Sequence, residues 1–253
     1  MIKKFLLFFF TIIILLLFFV IYLNFVGIET NKFNTKIKNE IKSHDSRINI
    51  DLKKVKLLLS IKDLSIKIQT KDPVIVFDDR KINVEKISSN ISIKSYLKND
   101  FGIKNLLVLT KENKIKDLLY VVRSTENSPR LLILSQFIKE GKIKVSIDLQ
   151  FDENGKIKSN YDISGIVEKG KLQIFNFNTY DKIKFKFDYK SKNLKIKNLE
   201  FDLDNTKFNS DLIEIKNVNS EYYFNGNLNN KKSNINLKLL NLISLSDNNL
   251  FKI

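Results

Sequence analysis

From Lys142 to Phe151 the chain alternates without a slip. Ile143, Val145, Ile147, Leu149 and Phe151 stand between Lys142, Lys144, Ser146, Asp148 and Gln150. Side chains leave a β-strand on alternate faces, so this spacing builds a strand with one greasy face and one wet one. "DENG" at 152–155 turns the chain, and the alternation resumes in Ile157-Tyr161-Ile163-Val167 and Ile183-Phe185-Phe187-Tyr189. Leu194-Ile196, Leu199-Phe201-Leu203, Tyr222-Phe224-Leu228 and Ile235-Leu237-Leu239 continue it, with further turns predicted at "EKGK", "SKN" and "DNT". Connections this short do not permit crossovers, so each strand runs antiparallel to the last, as a meander. That pattern suits a sandwich, a barrel or an open curved sheet.

The same period appears upstream. Ile48-Ile50-Leu52, Val55-Leu57-Leu59-Ile61, Leu64-Ile66-Ile68, Ile82-Val84, Ile91-Ile93, Ile103 and Leu106-Val108 are half-buried strand signals, with Pro73 and "DDRK" at 78–81 as turns. Two stretches change to a helical period. Phe33, Ile37 and Ile41 form one narrow stripe; Ile115, Leu118, Leu119 and Val122 form another. Ser128 and Pro129 predict the N-cap and first residue of a further helix, closed by Gly141, with Leu131, Leu134 and Ile138 on its inner face. The fold class is mainly β with a few helices: an N-terminal transmembrane helix, then an antiparallel meander forming a curved sheet or groove, with a helix pair near 113–140. Four segments follow: an anchor at 1–28, a helix plus β region at 29–110, the helix pair at 111–141 and the meander at 142–253.

The anchor is the apolar run from Phe5 to Leu23, broken only by Thr11 and Tyr22. As a helix it spans roughly 28 Å, about one hydrocarbon core. A cleaved signal peptide has an apolar region of about 7–15 residues ending in small residues. This run is longer, and the chain contains no alanine to build a cleavage site. An uncleaved single-pass helix is the expectation. Lys3 and Lys4 precede it; Lys32, Lys36, Lys38 and Lys42 follow it. That count alone would keep the large domain in the cytoplasm, but lysine pervades this chain and long domains cross largely regardless of charge. Charge leaves the orientation open.

The net charge of +16 invites a nucleic-acid reading, and its origin argues against one. Only Arg47, Arg80, Arg123 and Arg130 are arginine, the residue suited to bidentate phosphate and base contacts. Abundant Ile, Lys, Asn and Phe, with no Ala and two Pro, match an AT-rich codon supply. No nucleic-acid partner is expected.

Catalytic chemistry is hard to place. Zero cysteines exclude disulfides, thiolate metal sites and a cysteine nucleophile. The single histidine, His44, lacks the partners that metal or triad chemistry demands. Asp78-Asp79 fits a solvated turn better than a carboxylate pair, and the glycines never group into a phosphate-cradling loop. "NIS" at 90–92 matches a glycan acceptor in three residues only. No enzyme activity, metal or cofactor is expected.

The apolar face therefore carries the functional question. Either a second layer covers it, giving an ordinary core, or it lines a trough completed by acyl chains. Periodicity is the same in both and favours the commoner packed layers. The order of segments adds a resemblance. A single anchor followed by "TNKFNTKIKNEI", "RINIDLKKVKLLLSIKDLSIKI", "KINVEKISSNISIKSYL" and "FGIKNLLVL" resembles the AsmA-like family. "FIKEGKIKVSIDLQFDENGKIKSNYDISGIVEKGKLQI" and "LKIKNLEFDLDNTKFNSDLIEI" are similar to that family's later strands. The resemblance covers nearly the whole chain through patterns of residue class and carries no catalytic signature. It implies a protein anchored in the bacterial inner membrane, amino terminus inside, with a β-rich groove in the periplasm. It further implies phospholipid acyl chains as ligand, other envelope proteins as partners, and a role in lipid transport and outer-membrane biogenesis. Members are often several times longer, so the chain is expected to be a fragment or a short member. Ile143, Val145, Ile147, Leu149 and Phe151, with Ile183, Phe185 and Phe187, are the candidate groove lining. A lipopolysaccharide-transfer component of the LptC type and a tethered scaffold with a closed core are the alternatives.

Overall fold

The computed structural model describes residues 2–98, 102–126, 128–174, 178–203, 206–218 and 221–230. The apolar run is the helix α1 (Ile2–Phe25), of which Lys3–Phe25 is long and apolar enough to cross a membrane, with a mean hydropathy of 3.2. Its one mid-run hydroxyl, Thr11 Oγ1, donates to the Leu7 carbonyl at 2.8 Å, so no polar group is left unpaired there.

Gly27 joins α1 to the sheet. It has φ +72°, and a Cβ would stand 2.3 Å from the Leu57 carbonyl oxygen, so only glycine fits without a shift of backbone. The short strand β1 (Ile28–Thr30) follows at once and pairs with β3 (Val55–Ser60), Ile28 opposite Leu57. Between them α2 (Asn34–His44) turns Ile37 and Ile41 onto Ile50, Leu52 and Val55, the buried cluster of this end of the molecule. Asn34 holds the helix start in place, its Nδ2 donating to the carbonyl of Leu52 at 2.7 Å.

The strands β2 (Ile48–Asp51), β4 (Ser65–Lys71), β5 (Val74–Phe77) and β6 (Arg80–Ser92) complete this end. β6 serves two ladders. Its first residues pair with β5, which pairs with β2, and its later residues pair with β4. β2, β5 and the start of β6 thus leave the main sheet and fold over its apolar side. Val74–Phe77 was not among the predicted strands, because Pro73 and "DDRK" leave room for only four residues between turn signals. Ile93, predicted as strand, instead opens the helix α3 (Ile93–Leu97).

Next come β7 (Ile103–Thr110), β8 (Asn113–Lys114), α4 (Ile115–Thr125), α5 (Pro129–Phe137) and β9 (Ile138–Gln150). The helix pair stands where the sequence places it, with Pro129 in the first turn of α5. Its end differs. Gly141 does not close α5; it lies inside β9 with φ +147°, and a Cβ would meet Ile115 Cδ1 at 2.5 Å. The glycine lets the start of α4 approach the strand. Ile138 is likewise a strand residue, and Leu134 is exposed rather than inward-facing.

α4 is pinned to the β5–β6 turn by a polar and aromatic ladder. Tyr120 donates to Asp78 Oδ2 and Arg80 Nη1 to Asp117 Oδ1, both at 3.0 Å, and Arg47 Cζ stands 4.8 Å from the centre of the Phe77 ring. The Asp78 carboxylate beside it raises the Tyr120 phenol above its ordinary range. Asp78 and Asp79 do form a turn, and each has a basic or hydroxyl partner.

β10 (Asp162–Ile174), β11 (Asn178–Lys190), β12 (Asn193–Leu203), β13 (Thr206–Val218), β14 (Glu221–Gly226) and β15 (Asn229–Asn230) finish the described chain. The main sheet runs β1-β3-β4-β6-β7-β9-β10-β11-β12-β13-β14, antiparallel throughout. It is an open, curved sheet of mainly β architecture. The predicted strand Ile235-Leu237-Leu239 lies outside the described residues.

"EKGK" is not a turn. β10 passes straight through it with a register shift between Val167 and Gly170, and Lys169 takes φ +53°. Similar shifts fall beside Lys182 in β11 and Asn198 in β12, both with positive φ. Bulges bend a strand and sharpen its twist. Bulges in neighbouring strands at matching heights make a crease, and the crease curves the sheet.

Candidate functional site

Pairing register decides what the apolar face presents. One row of cross-strand partners reads Val55, Thr70, Ile87, Val108, Ile147, Ile163, Tyr189, Leu194, Ile215 and Phe224. Ten strands contribute one residue each, and only Thr70 among them is small and polar. A parallel row sets Val145, Gly165, Phe187, Ile196 and Ile213 side by side. A third joins Ile143, Val167 and Phe185.

The predicted lining residues of β9 and β11 therefore share one face, with Ile163, Gly165 and Val167 of β10 between them. Val145 and Ile183 are buried, at 8% and 7% exposure; Ile143, Ile147, Leu149, Phe185 and Phe187 are half-buried. Phe151 stands just beyond β9, in a single bridge to Ile157. The prediction omitted the stretch that forms β13, with Phe208, Ile213 and Ile215. Its alternation changes phase at Asp211-Leu212, and Leu212 pairs with Lys197 on the polar side. Phe201 stacks on Phe208 at 5.2 Å between ring centres and meets Tyr180 at 5.8 Å, so this far part of the face is aromatic.

Cover is uneven along the sheet. α2 and the β2–β5 strands lie on β3, β4 and β6, where Ile50, Leu52 and Val55 are buried. α4 packs on β9 and β6, burying Leu119, and α5 touches β9 and β10. From β11 to β14 each strand packs chiefly on its ladder neighbours, and among the described residues no helix or second sheet lies across that face. The four uncovered strands β11 to β14, at about 4.8 Å spacing, make the open part of the face roughly 14 Å wide. The apolar depth of one bilayer leaflet is about 15 Å. The open part of the face is thus about as wide as one acyl chain is long.

The opposite face carries charged cross-strand pairs. Lys195 meets Glu214 at 2.9 Å, Lys190 meets Asp162 at 2.9 Å, Lys197 meets Asp188 at 2.7 Å and Lys144 meets Glu85 at 2.9 Å. The partnering lysine ammoniums hold the Glu85 and Glu214 carboxyls below the usual carboxylate range. A cleft of about 760 Å³ on this side is lined by Glu168, Lys171, Asp181 and Lys184 among others. Those four pair with one another, Lys171 with Asp181 and Lys184 with Glu168, which leaves little charge for a ligand.

His44 ends α2, and its side chain lies outside the described residues. Among the described residues no group of three or more His, Cys, Asp or Glu is placed to hold a metal ion. No family model, curated protein or solved structure matches the chain.

Proposed function

We propose that this is a membrane-anchored lipid-binding and lipid-transfer protein whose greasy sheet face carries acyl chains. The observation that supports it is the row from Val55 to Phe224, apolar but for Thr70 and the Tyr189 hydroxyl, covered near the anchor and uncovered from β11 to β14. Leaving such side chains in water forgoes roughly 1.5–3 kcal/mol for each one fully exposed. Each methylene buried against them gains about 0.8 kcal/mol, so a tail binds without polar recognition. Loose headgroup selectivity and a passive path in either direction follow. The resemblance to AsmA-like proteins supports the same reading and adds its setting: the bacterial inner membrane, a periplasmic β domain, phospholipid traffic and outer-membrane biogenesis.

The test is lipid analysis of the full chain purified in mild detergent, with a photo-crosslinking residue at Phe187 and a control at Lys195 on the charged face. Phospholipid adducts at 187 and none at 195 are the expected result. Lipopolysaccharide at 187 would move the protein to the LptC type of carrier. Absence of any adduct at 187 would leave a tethered scaffold.

A further inference from the structure

A second apolar surface stands apart from the trough, at the end of the sheet where α1 leaves it. Gly27 lies beside Leu58, and the Ile28–Leu57 pairing directs the end of α1 toward Ser60, the last residue of β3. The turn after Ser60 carries Ile61 and Leu64, both exposed, Leu64 at 63%. α3 adjoins this turn, the amide of Ile93 donating to the Leu64 carbonyl at 3.0 Å, and it ends in Leu97 at 77% exposure. Lys104 Nζ donates to the Asp63 carbonyl at 3.1 Å and ties β7 to the same turn. Lys62, Lys94, Lys98 and Lys104 are exposed around the three apolar tips.

Two strand spacings separate β1 from β4, so Leu64 stands within about 10–15 Å of the end of α1. Exposed aliphatic tips ringed by lysine suit an interface whose inside is hydrocarbon and whose surface is anionic. We infer that the β3–β4 turn and α3 dip into the leaflet from which α1 emerges, Ile61, Leu64 and Leu97 entering the acyl boundary and the four lysines meeting anionic headgroups. The anchored edge of the sheet is then held to the membrane at two places, and the sheet cannot pivot freely about Gly27. This rests on α1 spanning a membrane and is independent of whether lipid moves along the trough.

The chain has no cysteine, so one nitroxide label can be placed at a time without altering the background. Leu64→Cys and Leu97→Cys are labelled in the full chain, reconstituted in vesicles of phosphatidylcholine with phosphatidylglycerol. Asp79→Cys, in the β5–β6 turn at the other end of β6, is the aqueous control. Labels at 64 and 97 should collide several-fold more with dissolved oxygen than with a water-soluble nickel chelate, relative to position 79. Replacing Lys62, Lys94 and Lys98 together with Glu should bring that ratio back toward the control, as should vesicles without phosphatidylglycerol. Leu15→Cys reports α1 itself. Lipid at 15 with full nickel access at 64 and 97 overturns the contact alone. Water at 15 overturns the membrane reading and the contact with it.

Discussion

Gly165 occupies the floor of the trough between Val145 and Phe187, where every neighbouring strand supplies a larger side chain. A Cβ there would stand 2.5 Å from the Lys144 carbonyl oxygen and 2.7 Å from Cε1 of Phe187. The Phe187 ring therefore lies across the glycine and supplies the cover its own side chain would have given. Gly165→Ala should destabilise the sheet by about 1–3 kcal/mol, the usual cost of overpacking. Phe187→Leu in the same chain should recover part of the loss, since the shorter side chain no longer lies over position 165. Denaturant melts of the two single variants and the double variant measure this, and strict additivity would show that the ring and the glycine do not share the space. The apolar partners of Gly165 were legible in the sequence because alternation alone assigns a face. The role of the glycine was not, because a close approach depends on register, and register is set by pairs far apart in the chain.

At the scale of the strand, the charged face stabilises through many weak cross-strand pairs. Glu85 and Glu214 ordinarily titrate near 4.5 and Asp72 near 3.8, and hydrogen bonds from Lys144, Lys195 and Lys111 respectively lower each of them. A carboxyl lowered in the folded state contributes stability above its unfolded value and loses it as pH falls through the folded one. The melting temperature should thus hold between about pH 5 and 9 and fall below that window as these groups protonate, while the excess of 44 basic over 28 acidic residues adds repulsion. Lys144→Gln with Lys195→Gln should make the acid-side fall shallower, because Glu85 and Glu214 each lose the partner that lowers them most. An unchanged slope would show that these pairs carry no pH dependence. Elements with an uninterrupted period, such as α4 and β9 from Lys142 onward, were legible from spacing alone. The bulge at Lys169 was not. A lysine-glycine pair between two apolar runs signals a reversal locally, and only pairing on both sides, with β9 and β11, keeps β10 straight enough to be one strand.

Across the whole molecule, one apolar face meets two environments. Toward α1 it is a conventional core under α2, β2, β5 and α4; beyond β10 no described element covers it. The sequence shows the same alternation in both parts, since the pattern records which residues avoid water and not what keeps water away. Opposite outcomes for two similar substitutions follow from this division. Val145 is buried and its amide donates to the buried Thr110 Oγ1 at 2.8 Å, so Val145→Asp places a carboxylate where no counter-charge or water reaches it. The loss should be on the order of 3 kcal/mol or more. Phe185 is half-buried on β11, where no helix crosses. Phe185→Asp gives up part of one aromatic burial, about 1.5 kcal/mol, while water reaches the new charge. Thermal melts should find Phe185→Asp folded and Val145→Asp strongly destabilised, and the folded Phe185→Asp chain should carry less co-purified phospholipid than the parent. If Phe185→Asp collapses as Val145→Asp does, the face is dry from edge to edge and holds no lipid. If it folds and keeps its full phospholipid, the tails lie elsewhere.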